Sequence, residues 1–433
     1  MFKQQDLNRW FWRWHIIAGL ITLPIVLLLC LTGVIYLFKE DYNNWAYQQA
    51  RTIVPTANQR QSGYVSFDKQ LEAASQHAGR PIMQITLPSS EKEAASFRIQ
   101  AKGHTRQLVY VNPYTGEVSG EFIQHDSLMY TIRKLHGELL LHTPGTLVVE
   151  LVASWFIILL ITGIYMWWPL KKWSAAGLFS IRTQKGQRIL WRDIHAVGGF
   201  WLSLFMLVII AGGMPWTDIF GGNLKQIQAA TDTGFPTTWR KAPNVLSTVQ
   251  DKALPLEKII NIAQSQDLAG KLTLSMPKET TGTFKLANRS FWLQDQQVIY
   301  LDQFSGEVLK RHSWKEVGIL MDLRQVAMRL HQGEYGRISW YSVLIVSLLF
   351  TLSSIAGLIS YLKRKPSNGW GFPTVPAQFN VGKALLGIIL ALAILFPVFG
   401  ISLVAIVLVS QLKPLLERYK ARIKYIRAIN DSH

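Results

Sequence analysis

Two histidines of the chain introduce apolar runs in the same local pattern. His15 and His195 each begin a His-x-x-x-Gly sequence, which ends at Gly19 and Gly199. In a helix such a glycine lies one turn beyond the imidazole and on the same side, where it removes side-chain bulk. Imidazole is a common ligand of haem iron and of metal ions. The pattern therefore indicates a ligand beside a space that glycine leaves open.

Two further histidines precede apolar runs in a second shared pattern. His136 lies 27 residues before Gly163, and His331 lies 26 residues before Gly357. His142 is only 21 residues before Gly163. The repeat therefore favours His136 as the ligand and leaves His142 as a reserve ligand or a contact to substrate.

The elements that carry these histidines are predicted to be membrane-spanning helices. The chain of 433 residues is 49% hydrophobic, and a run of about 20 apolar residues crosses a bilayer core of roughly 30 Å. Four runs meet this length, and a fifth contains a Phe-Pro-Val-Phe-Gly break: 16–38, 147–168, 196–214, 341–362 and, with the break, 385–412. The sequence predicts a polytopic α-helical membrane protein with a four-helix core and a fifth C-terminal hydrophobic helix.

Basic residues orient the predicted spans. The loop 169–194 holds one acid, Asp193, and six basic residues: Lys171, Lys172, Arg182, Lys185, Arg188 and Arg192. The positive-inside rule makes this loop cytoplasmic and places two long segments outside. The net charge of +18 is explained by the inner loops and the tail facing membrane lipids, so no nucleic-acid partner is predicted.

The C-terminal segment 385–412 allows two interpretations. A single crossing leaves the basic tail outside, against the positive-inside rule. A shallow hairpin at Pro397 and Gly400 returns the tail to the cytoplasm, although 28 residues are too few for two full crossings. We favour the single crossing.

The two outer segments follow a similar plan. Each contains a helical pattern and then apolar strands around a turn that ends in Gly-Glu, at 112–117 and 302–307. This plan predicts two small α+β domains and, with the paired histidines, an internal duplication of helix, outer domain and helix. The predicted division is 1–14 N-terminus, 15–38 first span, 39–134 outer domain, 135–168 outer helix start and second span, 169–194 basic loop, 195–214 third span, 215–322 outer domain, 323–362 outer helix start and fourth span, 363–384 loop, 385–412 fifth helix or hairpin and 413–433 basic tail.

This topology places one histidine pair near each membrane face. His15 and His195 lie inside, and His136 and His331 lie outside. Two imidazoles from separate helices hold a b-type haem without covalent attachment, so we predict two b-type haems. An arginine two or three positions before each histidine would bind a haem propionate: Arg13, Arg192, Arg133 and Arg329.

Competing uses of these residues are less consistent with the pattern. A zinc or copper site needs its ligands at one ion, which residues at opposite faces cannot provide. The single cysteine, Cys30, excludes a disulfide within the chain, a four-cysteine cluster and a CxxCH haem attachment. No GxGxxG motif follows a strand and no P-loop is present, so we expect a quinol or a cytoplasmic flavoprotein as electron donor. The other histidines are interpreted as surface residues: His77, His104, His125, His312 and His433.

The ordered motifs resemble those of the PepSY-associated transmembrane helix family. The resemblance covers about residues 7–365 and rests on Thr32-Gly33, the turn at 112–117, Leu135-His136, Trp191-Arg-Asp-Ile-His195 and Leu330-His331 with Gly333. Characterised members of that family include haem-containing inner-membrane reductases of ferric siderophores, which act on the periplasmic side in Gram-negative bacteria. The resemblance implies PepSY-like folds for the two outer domains, a two-haem core and release of iron from a ferric siderophore.

We therefore expect one-electron transfer from a donor to an Fe(III) chelate outside. Two alternatives remain open. In one, the outer domains are a membrane-tethered binding or inhibitory module and the histidines only pack. In the other, the protein transports the siderophore, although the spans contain few acids or lysines for a proton-coupled pathway.

Overall fold

The computed structural model describes residues 4–99, 106–168, 176–376 and 378–412 of the chain. The chain divides into two compact units. We call them the helical unit (residues 1–32, 136–224 and 341–433) and the sheet unit (residues 33–135 and 225–340). Lys171, Lys172, His104, His433 and the basic tail lie outside the described residues.

Four long apolar helices, α1 to α4, provide the frame of the helical unit: Gln4–Leu37, His142–Trp167, Gln187–Gly213 and Gly336–Arg364. The shortest has 26 residues, which at 1.5 Å per residue is about 39 Å and exceeds a bilayer core. The prediction of four membrane-length helices is confirmed. Buried side chains from all four helices form their common core: Val26, Val152, Phe156, Leu160, Met206, Val346 and Phe350.

Helices α1 and α3 begin well before the predicted apolar runs, at Gln4 and Gln187. His15 and His195 therefore lie inside regular helix, where neighbouring turns hold the backbone. Among the described residues the shorter helices are Lys39–Ala46, Gln48–Arg51, Ala57–Ser62, Phe67–Ala78, Leu128–Glu138, Ala176–Phe179, Ile219–Ala230, Leu256–Gln264, Ile319–His331, Lys383–Leu395 and Pro397–Leu412.

Two carboxylates are fully buried in the helical unit. Glu150 accepts the first two backbone N–H groups of the helix Ile219–Ala230, at 2.9 and 2.8 Å, and so faces the positive end of that helix. Asp193 accepts side-chain bonds from Arg182 at 2.8 Å and Arg192 at 2.7 Å. Both negative charges are thus compensated by protein groups, as burial requires.

The fifth hydrophobic segment is interrupted at its Phe-Pro-Val-Phe-Gly sequence. It breaks at Phe396 into Lys383–Leu395 and Pro397–Leu412, each too short to span a bilayer by itself. A Cβ added to Gly400 would lie 2.8 Å from the carbonyl oxygen of Ala393. In a straight helix residues seven apart are about 10 Å apart along the axis, so the chain bends sharply here. The proline, which cannot donate a helical hydrogen bond, explains the break.

The sheet unit contains one antiparallel sheet of eight strands, β1 to β8: Ile82–Thr86, Ala95–Ile99, Gln107–Val111, Val118–Ile123, Lys271–Ser275, Thr283–Arg289, Gln297–Asp302 and Val308–Ser313. The strand order is β4-β3-β2-β1-β5-β6-β7-β8. Each predicted outer domain supplies four strands, and β1 pairs with β5 through Ile85 and Leu274. The strands of the two predicted outer domains thus form the two halves of one sheet. Pairing satisfies the edge N–H and C=O groups that each half would otherwise expose.

Two helices cover one face of this sheet, and their N-termini are linked. Asp68 of the helix Phe67–Ala78 accepts bonds from the backbone N–H groups of Leu256 and Glu257, both at 3.1 Å. In return, Glu257 accepts the backbone N–H of Phe67 at 2.7 Å. Each helix thus caps the other, and alternate strand residues such as Ile85 pack beneath them.

One predicted surface residue is buried. His312 is 3% exposed, and its Nδ1 and Nε2 bond to Glu316 at 2.6 Å and Thr238 at 2.7 Å. The surface interpretation of His312 is wrong, because aromatic rings of Trp239 and Trp314 close over the end of β8. Both ring nitrogens have partners, so this histidine has a structural role.

Candidate functional site

The structure brings His15 of α1 and His195 of α3 together inside the helical unit. Their ring centroids are 6.4 Å apart, and the rings are inclined by 61°. A metal about 2.0 Å from an imidazole nitrogen lies about 3.2 Å from the centroid of that ring. Two imidazoles on opposite sides of one metal therefore have centroids about 6.3 Å apart. The observed spacing fits a pair of axial ligands.

The hydrogen bonds of the two rings leave the same nitrogen available. His195 Nδ1 lies 2.9 Å from the backbone oxygen of Ser353, which can only accept, so Nδ1 carries the proton. His15 Nδ1 lies 3.0 Å from Thr162 Oγ1. That hydroxyl donates to the backbone oxygen of Ile158 at 2.8 Å, so it accepts from His15. Both histidines thus present the Nε2 lone pair, as metal-bound imidazoles do.

Glycines border both imidazole rings: two of them allow a helix to pack closely on a ring, and another leaves open space. A Cβ on Gly357 would lie 2.8 Å from His195 Nδ1, and a Cβ on Gly163 would lie 3.4 Å from His15 Cε1. A Cβ on Gly19 would meet no atom within 4 Å, because this glycine faces a cavity. Gly19 and Gly199 were predicted to border an open space, and both line this cavity.

The cavity has a volume of about 560 Å³ and lies among all four long helices. We call it the histidine cavity, since His15 and His195 both line it. Its walls are mainly apolar, with contributions from Val26, Leu160 and Phe350. The volume falls within the range of about 300–1,000 Å³ that is typical of small-molecule and cofactor sites.

Four arginines line the histidine cavity: Arg9, Arg188, Arg192 and Arg364. Of the predicted propionate contacts only Arg192 is among them, and its guanidinium already bonds Asp193. Arg13 is exposed and does not line the cavity. Sequence reasoning missed Arg364, whose Nη2 is buried without an acceptor among the described residues.

A second buried donor at the histidine cavity also lacks an acceptor among the described residues, Trp167 Nε1. Trp167 and Arg364 end α2 and α4, at the end of the bundle where α1 and α3 begin. Two orphaned donors fit the carboxylates of a group that carries acidic arms. With the paired Nε2 atoms and the open space at Gly19, the residues present fit a b-type haem.

A third histidine repeats this chemistry at the far end of α1. His136 Nδ1 lies 3.0 Å from Thr32 Oγ1, and that hydroxyl donates to the backbone oxygen of Leu28 at 2.7 Å. Nδ1 of His136 therefore carries the proton, as it does in His15 and His195. Thr32 is 17 residues from His15, a distance of about 25 Å along a helix. The two histidine sites of the helical unit are thus well separated.

The remaining predicted residues are placed as follows. His331 ends the helix Ile319–His331 in the sheet unit, so its pairing with His136 stays a prediction. Arg133 lies over the ring of Tyr130, and Arg329 donates to the backbone oxygens of Phe291 and Ser290. The His142 side chain is 85% exposed and lies 3.8 Å from Glu138.

The threonines at the histidines could have been recognised in the sequence. The repeated Thr-Gly pairs, Thr32-Gly33 and Thr162-Gly163, stand at matching positions near the C-terminal ends of α1 and α2. Thr162 of α2 bonds His15 of α1, and Thr32 of α1 bonds His136, which precedes α2. The repeat was visible, but only the packing of α1 on α2 shows which histidine each threonine holds.

The fold and this site define a class, a multi-pass membrane protein with a candidate cofactor cavity inside its helical bundle. Residues 12–364 match the PepSY-associated TM region, which is most of the chain, and the protein belongs to this family. The resemblance in the sequence is thereby confirmed. No curated protein matches the chain.

Proposed function

We propose that the protein is a di-haem b-type electron-transfer protein of the bacterial inner membrane, which reduces a ferric siderophore on the periplasmic side. The single observation that carries this proposal is the spacing of His15 and His195, with both Nε2 atoms available on one cavity. The proposal adopts the orientation predicted from the basic loops, with this pair near the cytoplasm.

In this proposal the residues at the histidine cavity would hold, orient and anchor one haem. The Nε2 atoms of His15 and His195 would hold one haem, while Thr162 and Ser353 fix the ring orientations. Arg364 and Trp167 would bind its propionates. A bound haem would supply a centre that takes up and passes on one electron at a time.

We propose that a second haem is held by His136 and His331, with Thr32 orienting His136. The electron donor would be a quinol or a cytoplasmic flavoprotein. Iron is the substrate: Fe(III) in the chelate gains one electron and becomes Fe(II), which hard oxygen donors bind less tightly. No residue needs to act as acid, base or nucleophile in this reaction.

A tethered PepSY binding module without redox activity is the second candidate. It is favoured by the charged cavity in the sheet unit, which could bind a ligand without any cofactor. A siderophore transporter is a further alternative. The fully buried acids Glu150 and Asp193 are already occupied by helix and arginine partners, which does not favour proton coupling.

Haem content separates these functions. The detergent-purified protein, produced in cells with ample haem, should show a b-type spectrum before and after dithionite reduction and about two haems per chain by pyridine haemochrome. His195→Ala and His136→Ala should each lose about one haem, whereas His142→Ala is the matched control and should lose none. A colourless parent protein would overturn the reductase proposal and leave the binding module as the better account.

A further inference from the structure

The sheet unit contains a cavity of about 490 Å³ on the sheet face opposite the two covering helices. We call it the seam cavity, because it lies where the two halves of the sheet join. Thr86 of β1 and Thr273 of β5 are register partners and line it together with Ser96 of β2. Their neighbours Ile85 and Leu274 point to the buried face, as strand alternation requires. The centre of the floor at the seam is therefore small and polar, with Leu108 and Tyr110 of β3 beside it.

Cationic side chains outnumber anionic ones around this floor. Six basic residues line the cavity: Lys39, Arg51, Arg106, Arg133, Lys271 and Arg289. Three carboxylates line it: Glu40, Glu93 and Glu334. The lining residues thus carry a formal net charge of +3. Six cations in one concave surface repel one another unless a counter-charge is present.

Ion pairs account for only part of this positive charge. Glu334 pairs with Lys39 at 3.1 Å and with Arg289 at 3.4 Å, and Glu93 pairs with Lys271. Three cations remain, namely Arg51, Arg106 and Arg133. The guanidinium groups of these three have no hydrogen bond or ion pair with another described residue. Guanidinium groups recognise carboxylate, phosphate and similar oxygens through paired N–H bonds.

A buried polar atom also faces this cavity without a partner. Asn43 lines it, and Asn43 Oδ1 is buried with no hydrogen bond to the described residues. The oxygen and nitrogen of such an amide can be exchanged by rotation, so Asn43 can offer either an acceptor or a donor to a ligand.

We propose that the seam cavity binds a small polyanion. Resting on the proposed function, this names the substrate class: a ferric chelate with net negative charge, rather than a neutral or cationic one. The chelate would place its anionic oxygens against Arg51 and Arg106 and its body over the threonine floor. Binding is then driven by charge, so it weakens as salt screens the cavity.

The test uses the full-length haem-loaded protein and redox-inert gallium(III) chelates of similar size. One probe is the trianionic gallium complex of a hexadentate tricatecholate, and the other is the neutral gallium complex of a hexadentate trihydroxamate. Titration calorimetry at low salt should give at least about tenfold tighter binding of the trianion, since it alone forms charge-assisted bonds. Equal affinity for the two probes would overturn the proposal.

Charge variants localise the site. Arg51→Gln with Arg106→Gln should weaken trianion binding at least about tenfold. Arg60→Gln with Arg80→Gln removes the same charge from exposed positions outside the cavity and should change it little. Equal loss in both double variants would overturn the assignment. Haem content is measured in parallel, so a haem-free protein that still binds the trianion would refute the reductase function but retain the anion site.

Discussion

The helical unit and the sheet unit contain cavities of similar volume whose linings differ in polarity. The histidine cavity, about 560 Å³, is mainly apolar, and no carboxylate is among its described lining residues. The seam cavity, about 490 Å³, has a polar floor and nine charged lining residues. Apolar walls with two oriented imidazoles suit a flat macrocycle, and the four arginines of this cavity suit acidic arms on it. A polar space with charges of both signs suits an ionic ligand that must dissolve in water. Under the proposals above, the first cavity would retain a cofactor and the second would recognise a substrate.

The largest expected effect is on the histidine cavity, at Gly357. In Gly357→Ala the new Cβ would lie 2.8 Å from His195 Nδ1, so the ring must move and His195 would no longer be placed to hold the proposed haem. We expect about one haem per chain instead of two by pyridine haemochrome. Gly387→Ala is the control, because its Cβ would meet no atom within 4 Å and Gly387 does not line the histidine cavity. Full haem content in the Gly357 variant would contradict the proposed ligand geometry.

The next effect concerns the hydroxyl that orients His15. Thr162→Val keeps the side-chain shape but removes the group that accepts the Nδ1 proton at 3.0 Å. Loss of such a partner typically costs about 10- to 100-fold in affinity at the metal. The rate of haem transfer to apomyoglobin should rise accordingly, while Thr162→Ser should behave like the parent. Identical rates in all three proteins would show that the hydroxyl does not support the ligand.

A change in the opposite direction is expected at the seam cavity. Glu334→Gln removes the anion shared by Lys39 and Arg289 and frees both cations. An ion pair of this exposure is worth about 1 kcal/mol, so the gallium tricatecholate should bind about fivefold tighter. Glu91→Gln, at an exposed pair with Arg60 outside the cavity, is the control. Weaker binding in the Glu334 variant would mean that the carboxylate serves the ligand directly.

The smallest effect is a pH dependence of the sheet unit. Burial disfavours the charge of Glu93, but the Lys271 ammonium and the Ser89 backbone N–H outweigh this and lower the pKa of Glu93. A depressed carboxyl pKa stabilises the fold above the unfolded value of about 4.3, and this contribution is lost as pH falls through the folded pKa. The free energy of unfolding should drop less between pH 6 and about pH 3.5 in Glu93→Gln than in the parent. A steeper drop in the variant would contradict this sign.

The helices were largely predictable because their signal is local. A run of apolar residues long enough to cross a bilayer is legible without knowledge of its neighbours, and the four long helices follow the predicted runs. The Phe-Pro-Val-Phe-Gly sequence also indicates the break at Phe396. The close packing of Gly400 on Ala393 is not encoded by any local pattern.

The candidate sites were predictable only in part. Spacing selected His15 and His195, and the structure brings them together. The spacing of two or three residues before a histidine selected Arg13, which does not line the histidine cavity. It missed Arg364, which lines that cavity but is 349 residues further along the chain than His15. Proximity in sequence is a poor guide to the far side of a bundle, where a different helix ends.

The sequence by itself determined the membrane class, the four long helices, the paired histidines and the repeated strand plan, because each depends on residue type and short-range spacing. Only the tertiary structure decided that the two strand sets join through β1 and β5, that Thr162 holds His15 and that six cations from distant segments line one cavity. These features depend on contacts between residues far apart in the chain. Such contacts form only when the long helices and the shared sheet bring their side chains together.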